Sequence, residues 1–203
     1  MPALSKTVIA RMALSRIGAL SESSNIESFS EESVNARKAE LWYEVCRKMV
    51  LEASDWSFAR TTATLSTASQ DPSSDWSYRY IAPSNMITAR GLISSLGQKA
   101  EEPEMKIEVI DGQKTILTNE EAAELVYTFD LEDVDLFSST FVMAFATLLG
   151  SMVAPDILGF KVGRSVSEKM LTEYLSMVGI SEGTDSNQEK PPAPEDPEWI
   201  TAR

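Results

Sequence analysis

The most apolar stretch of this 203-residue chain is FVMAFATLLGSMVA, at residues 141–154. Apolar side chains cover nearly the whole circumference of a helix predicted over about 135–153, so we expect it to be buried on all sides. Such a helix lies either at the centre of a bundle or at a subunit interface. The run is interrupted by Thr147, Gly150 and Ser151 and is shorter than the roughly 20 residues that a membrane span needs. The N terminus has no basic region followed by an apolar run, so we expect a soluble chain without a membrane partner.

Three more helices are predicted at about 5–17, 31–53 and 165–178, the last opening with the capping-box pair Ser165 and Glu168. The helix over 31–53 has the clearest amphipathic pattern. Six of its apolar residues fall on one side: Val34, Leu41, Trp42, Val45, Met49 and Ala53. Its charged residues fall on the other: Arg37, Glu40, Glu44, Arg47 and Lys48. We therefore expect the first set to face the core and the second set to face water.

Between the helical halves the hydrophobic period changes from 3.6 to 2, which is typical of strands. Strands are predicted at 59–65, 76–81, 106–110, 114–118 and 124–129. Asp111-Gly112 separates the third and fourth of these and indicates a hairpin turn. The pattern predicts a small antiparallel sheet of four or five strands.

The predicted fold class is α+β and mainly α. It consists of a helical bundle of about four helices, an inserted small antiparallel β region and an extended C-terminal arm. Residues 1–58 and 130–178 form the bundle in this interpretation, 59–129 the β-rich excursion, and 179–203 the acidic, proline-rich arm.

Acidic residues outnumber basic ones, 31 to 18, which gives a formal net charge of −13. The excess is local. Residues 101–135 carry twelve acids against Lys106 and Lys114, and residues 181–203 carry six acids against Lys190 and Arg203. A protein that grips nucleic acid through its phosphates is therefore not expected, since that affinity comes from Lys and Arg.

The residue types needed for most catalysis are missing or isolated. The chain has no histidine, which removes Ser-His-Asp and Cys-His chemistry and His-ligated metal sites. Its one cysteine, Cys46, lies on a predicted helix with no partner base, so we expect a buried, inert thiol. We predict no enzyme activity and no catalytic, cofactor-binding or metal-ligating residues.

One carboxylate cluster could in principle hold a cation: Asp130, Glu132, Asp133 and Asp135. It lacks the glycine and the downstream bidentate glutamate of a calcium loop. Because it precedes the third predicted helix, N-terminal capping explains it more simply.

The order of these features resembles a known family. The helix ending in Leu14-Ser15-Arg16-Ile17-Gly18 is followed by a long helix that leads into Asp55-Trp56-Ser57-Phe58-Ala59. The later elements are marked by Trp76, Tyr78, Tyr80, Pro83, Thr118-Asn119, Tyr127-Thr128, Phe141 and Leu148-Leu149. Over residues 8–178 the chain resembles the tail tubular protein A type of head-to-tail adaptor from short-tailed bacteriophages.

The resemblance implies a virion structural protein without catalysis, made in the host cytoplasm and located in the tail below the portal vertex. Such adaptors form a twelve-membered homo-oligomeric ring that joins the portal protein to the tail nozzle protein. DNA passes through the ring without sequence-specific binding, and the C-terminal arm engages the portal.

Three sets of residues become candidates under this hypothesis. Acids that would repel DNA from the channel wall are Glu101, Glu102, Glu104, Glu108 and Asp111. Candidates for the subunit interface are Phe141, Phe145, Trp76, Tyr78 and Tyr80. The portal-docking arm holds Pro191, Pro192, Pro194, Pro197, Trp199 and Ile200. The alternatives are a soluble helical binding or regulatory module and a carboxylate-metal enzyme that uses residues 130–135.

Overall fold

The computed structural model describes residues 4–19, 26–72, 75–93 and 103–185. These ranges contain the helices α1 (Lys6–Arg16), α2 (Val34–Ala53), α3 (Ser139–Leu158) and α4 (Phe160–Asp185). They also contain the strands β1 (Arg60–Thr64), β2 (Ser66–Thr67), β3 (Tyr78–Ile81), β4 (Met86–Ile93), β5 (Met105–Ile110), β6 (Gln113–Thr118) and β7 (Glu124–Phe129).

Serine side chains fix the start of three helices. Ser5, Ser33 and Ser138 each accept a hydrogen bond from the backbone amide three residues later, which satisfies a donor that has no partner within the helix. The most apolar helix therefore begins four residues after the predicted position 135, and a 3-10 turn at Val134–Leu136 precedes it.

The apolar helix α3 lies at the centre of the helical half. It packs against α1, α2 and α4, and twelve of its twenty residues are buried. The sequence allowed two locations for this helix, the centre of a bundle or a subunit interface. The structure places it at the centre of the chain's own bundle, and this accounts for the apolar circumference of α3. By length and composition α3 could also cross a membrane, but 67% of its most apolar window is buried inside the chain, as in a core helix.

The turn between α3 and α4 is tighter than predicted. Gly159 ends α3 with a φ of 79°, and α4 begins at the next residue. The two helices then run so close that a Cβ on Gly163 would lie 2.3 Å from the carbonyl oxygen of Ala154. The predicted capping box, Ser165 and Glu168, is wrong, because both residues lie inside α4.

The predicted mainly helical bundle with a small β insertion is wrong, because the β content is larger and differently arranged. In the described ranges seven strands form two antiparallel sheets, β1-β7-β4 and β2-β3-β6-β5. Two of the seven strands were not predicted, the two-residue β2 and the longer β4. The pairing of β4 with β7 is shifted twice, between Met86 and Thr88 and between Ala89 and Gly91. Such bulges break the alternation from which strands are recognised.

The five predicted strands are all present, with ends within two residues of the prediction, but they are divided between the two sheets. Asp111 and Gly112 form the predicted turn between β5 and β6, with φ values of 51° and 78°. Residues from both sheets, including Tyr80, Ile116 and Leu125, share one apolar cluster. Phe129 packs against this cluster and against the helical core, and so joins the two halves.

Candidate functional site

The outer side of α2 carries an exposed apolar stripe. Its members, which we call the α2 stripe, are between 40 and 65% exposed: Val34, Leu41, Val45 and Met49. They recur at helical spacing along 16 residues, with Lys38 among them, so they line one side of the helix. The sequence had assigned this side to the core, which is wrong for these four residues. Trp42 and Ala53 of the same predicted set are partly buried and do pack against the helical core.

The inner side of α2 is lined mainly by smaller residues. The residues packed into the core include Ala36, Ala39, Tyr43, Cys46 and Val50. Because alanine and cysteine side chains are short, α2 can lie close to α3 along this side. These residues also recur every three or four positions, so a second apolar face was visible in the sequence. The prediction follows the other face because most apolar side chains there are longer.

Arg47 is the second departure from the predicted orientation of α2. It was expected on the charged outer side, yet it is 1% exposed. Its guanidinium donates to both the Glu44 carboxylate, at 2.8 and 3.0 Å, and the Leu131 carbonyl, at 2.6 Å. It also forms an ion pair with Asp130 at 2.7 Å. Arg47 therefore ties α2 to the segment that leads into α3.

These contacts hold the two carboxylates in their ionised form. Burial of Asp130 disfavours ionisation, but contacts with Lys48 and Arg47 outweigh it and lower the pKa of Asp130 below its ordinary value of 3.8. For Glu44, burial is likewise outweighed by Arg47 and Lys6, which lower the pKa of its carboxyl below 4.5. Both groups carry a negative charge at neutral pH.

The predicted carboxylate cluster is divided among structural roles. Asp130 belongs to the Arg47 ion pair, and Asp133 caps the 3-10 turn by accepting from the Asp135 amide. The helix that follows is capped by Ser138 instead. Within the described residues, no group of three His, Cys, Asp or Glu side chains is placed to hold a metal ion.

Cys46 is buried and unpaired, and burial raises the pKa of its thiol to about 12. At neutral pH it is a protonated side chain of the helical core. The prediction of a buried thiol is confirmed.

Three of the acids proposed to face DNA, Glu104, Glu108 and Asp111, are described by the structure and lie on or next to the β5–β6 hairpin. Glu104 and Asp111 are exposed, and Asp111 accepts a hydrogen bond from Gln70. Glu108 is partly covered. The Lys106 ammonium lies 2.8 Å from its carboxylate and, with a more distant Arg79, lowers the pKa of Glu108. Glu101 and Glu102 lie outside the described residues.

The aromatic residues proposed for a subunit interface are mostly buried within the chain. Phe141 and Phe145 are completely buried in the helical core, so their side chains present no surface to a partner, and this part of the prediction is wrong. Tyr80 is also buried, and its hydroxyl bonds to the backbone of Glu120 and Ala122. Only Trp76 and Tyr78 of this set are partly exposed.

The residues proposed for portal docking lie outside the described part of the chain, since all of Pro191, Pro192, Pro194, Pro197, Trp199 and Ile200 follow residue 185. The backbone of α4 continues to Asp185, so the first seven residues of the predicted arm, 179–185, are helical.

No protein-family model matches the chain, and no curated protein matches it either.

Proposed function

We propose that this chain is a structural protein of a bacteriophage virion, one subunit of a head-to-tail adaptor ring that joins the portal to the tail nozzle and lines the DNA channel. The observation that carries the proposal is the α2 stripe. The chain already buries a complete helical core, yet it leaves four large apolar side chains of one helix in contact with water. Apolar stripes of this kind mark surfaces at which a protein meets another protein.

The resemblance to the tail tubular protein A type of adaptor indicates which kind of assembly this surface would form. It spans residues 8–178, which include both sheets, α2 and α3, and all but the first two residues of α1 and the last seven of α4. It implies a ring rather than an enzyme. In the described ranges no group of three His, Cys, Asp or Glu side chains is placed to hold a metal ion, and Cys46 is buried.

The distribution of charge fits a DNA conduit. A wall that carries negative charge repels the phosphate backbone and lets DNA slide past. Glu104 and Asp111 are exposed beside the same hairpin, where no cation within salt-bridge distance neutralises them in the described structure. We place this hairpin at the channel.

Deleting the gene from the phage that encodes the chain tests the main proposal. We expect infected cells to make DNA-filled heads that lack tails, because the portal has nothing on which a nozzle can assemble. Electron microscopy of lysates, with the wild-type gene supplied in trans as the control, gives the answer. Normal tailed virions from the deletion strain would contradict the proposal.

A charge reversal tests the channel lining separately. We expect Glu104→Lys with Asp111→Lys to leave particle numbers unchanged and to slow DNA ejection. The matched control is Glu32→Lys with Asp71→Lys, which makes the same charge change at exposed acids outside the acidic block. If both pairs give the same ejection rate, the hairpin does not line the channel.

A further inference from the structure

Another exposed apolar stripe runs along α4. Its members, which we call the α4 stripe, are between 41 and 74% exposed: Phe160, Leu171 and Leu175. Between them an ion pair joins Arg164 to Glu168, and the Arg164 guanidinium lies 6.0 Å from the centre of the Phe160 ring. The buried residues of this helix, Met170, Tyr174 and Val178, point into the core, so the stripe lies beside the buried face.

The two stripes match in length and in composition. The α2 stripe runs from Val34 to Met49 and the α4 stripe from Phe160 to Leu175, so each covers 15 residue steps or about 22 Å of helix. Each consists of apolar side chains with charged residues between them: Lys38 on α2, and Arg164 with Glu168 on α4. Helices of this kind pack side by side when apolar ridges of one enter the grooves of the other.

The charge of the chain favours contact between copies at these helices. Residues 1–53 contain seven acids and seven bases, and residues 139–178 contain three of each. The net charge of −13 therefore arises elsewhere, mostly in residues 101–135. Two copies that meet through their helices avoid most of the repulsion between like charges.

We propose that the α2 stripe of one copy packs against the α4 stripe of the next copy, in a head-to-tail contact. A head-to-tail interface needs two different surfaces on each subunit, and its repetition closes a ring or extends a filament. This inference rests on the proposed ring and names the surfaces that form it.

The contact is small. A helix 30 Å long and about 10 Å wide offers a footprint of about 300 Å², which is below the roughly 800 Å² per partner of a standard interface. We therefore expect the free protein to associate weakly. A portal that binds many copies of the chain side by side would promote ring closure, because it raises their effective concentration.

Sedimentation velocity of the full chain, from low-micromolar to several hundred micromolar concentration, tests the contact without any portal. Wild type should form dimers and then larger species as its concentration rises. Leu41→Glu and Leu175→Glu should each weaken association by at least about tenfold, since each places a charge in an apolar contact. The matched control is Val162→Glu, at an α4 residue that is 60% exposed and lies on another side of the helix.

Mixing the two variants gives the sharpest result. Each retains one intact stripe, so an equimolar mixture should form heterodimers and nothing larger. Circular dichroism checks the fold, and Leu41→Asn and Leu175→Asn replace any glutamate variant that loses helix.

Three results would overturn the inference: a wild type that stays monomeric at every concentration, association that stops at the dimer, or a Val162→Glu variant that is as defective as the other two. A fourth result would also overturn it: faster proteolysis within residues 186–203 of the Leu41→Glu variant, with unchanged sedimentation. In that case the chain's own C-terminal segment, and not a second copy, would cover the α2 stripe. Rings on the portal from a chain that is monomeric alone would overturn this contact and leave the proposed function standing.

Discussion

Replacing Arg47 with alanine is expected to destabilise the fold far more than replacing Leu41 with alanine, although an arginine is usually the more dispensable residue of such a pair on a helix. The two residues lie on the same helix, six positions apart, and both changes leave alanine, a strong helix former. Arg47 is 1% exposed and Leu41 is 65% exposed, so the comparison depends on which way α2 faces.

The expected size of each effect follows from the contacts. Truncating Arg47 removes its bonds to Glu44, Asp130 and the Leu131 carbonyl and leaves a cavity. Removal of one partner from a buried ion pair costs about 3–5 kcal/mol, and the lower end applies here because both carboxylates reach water. Truncating Leu41 loses only about a third of the roughly 1.5–3 kcal/mol that full burial of a leucine contributes, and the helix propensity of alanine offsets part of that.

Urea unfolding at low-micromolar concentration, followed by circular dichroism, measures both free energies. We expect a loss of about 3 kcal/mol for Arg47→Ala and at most about 0.5 kcal/mol for Leu41→Ala. Arg37→Ala, at an exposed arginine of α2, is the control and should change stability by no more than about 0.5 kcal/mol. A larger loss for Leu41→Ala than for Arg47→Ala would refute the orientation of α2 and, with it, the exposed stripe.

Three other predictions concern the helical half. The pKa values of Asp130 and Glu44 are lowered in the folded chain, so the stability that they contribute is present above their ordinary pKa values and is lost as pH falls through the folded ones. Asp130→Asn should therefore flatten the decline in melting temperature below about pH 4. An unchanged pH profile of the melting temperature would contradict this. The Cys46 thiol should react with an aromatic disulfide reagent only at the rate of unfolding, because it is buried with a pKa of about 12, and rapid labelling of the native chain would count against the packing of α2. Gly163→Ala should destabilise the chain by more than 2 kcal/mol, of the order seen for overpacking, because its Cβ would strike the backbone of Ala154; equal melting temperatures for this variant and Gly179→Ala, where the space is open, would show that the helices are further apart.

The sequence predicted the positions of elements well where one periodic signal dominated. The four helices, the Asp111-Gly112 hairpin and five of the strands were all visible in this way. The strand β4 was not, because its two bulges and its Gly91 remove the alternation over a segment of eight residues. Its partner β7 is what holds this segment extended, and no local pattern reports a partner that is distant in sequence.

The orientation of α2 could not be predicted for a different reason. The helix has two apolar faces, one with larger side chains and one with smaller, and hydrophobicity alone selects the larger. The close approach of α3 selects the smaller, and Arg47 is buried because Asp130 and the Leu131 carbonyl meet it there. The sequence therefore identified the residues of the α2 stripe but placed them in the core and not at the surface.

Electron microscopy of the purified chain mixed with the portal protein of the same phage tests the central claim most directly. We predict closed rings stacked on one face of the portal, with neighbouring subunits in contact through α2 and α4. Portals that remain bare while the chain stays as separate small particles would contradict the adaptor function.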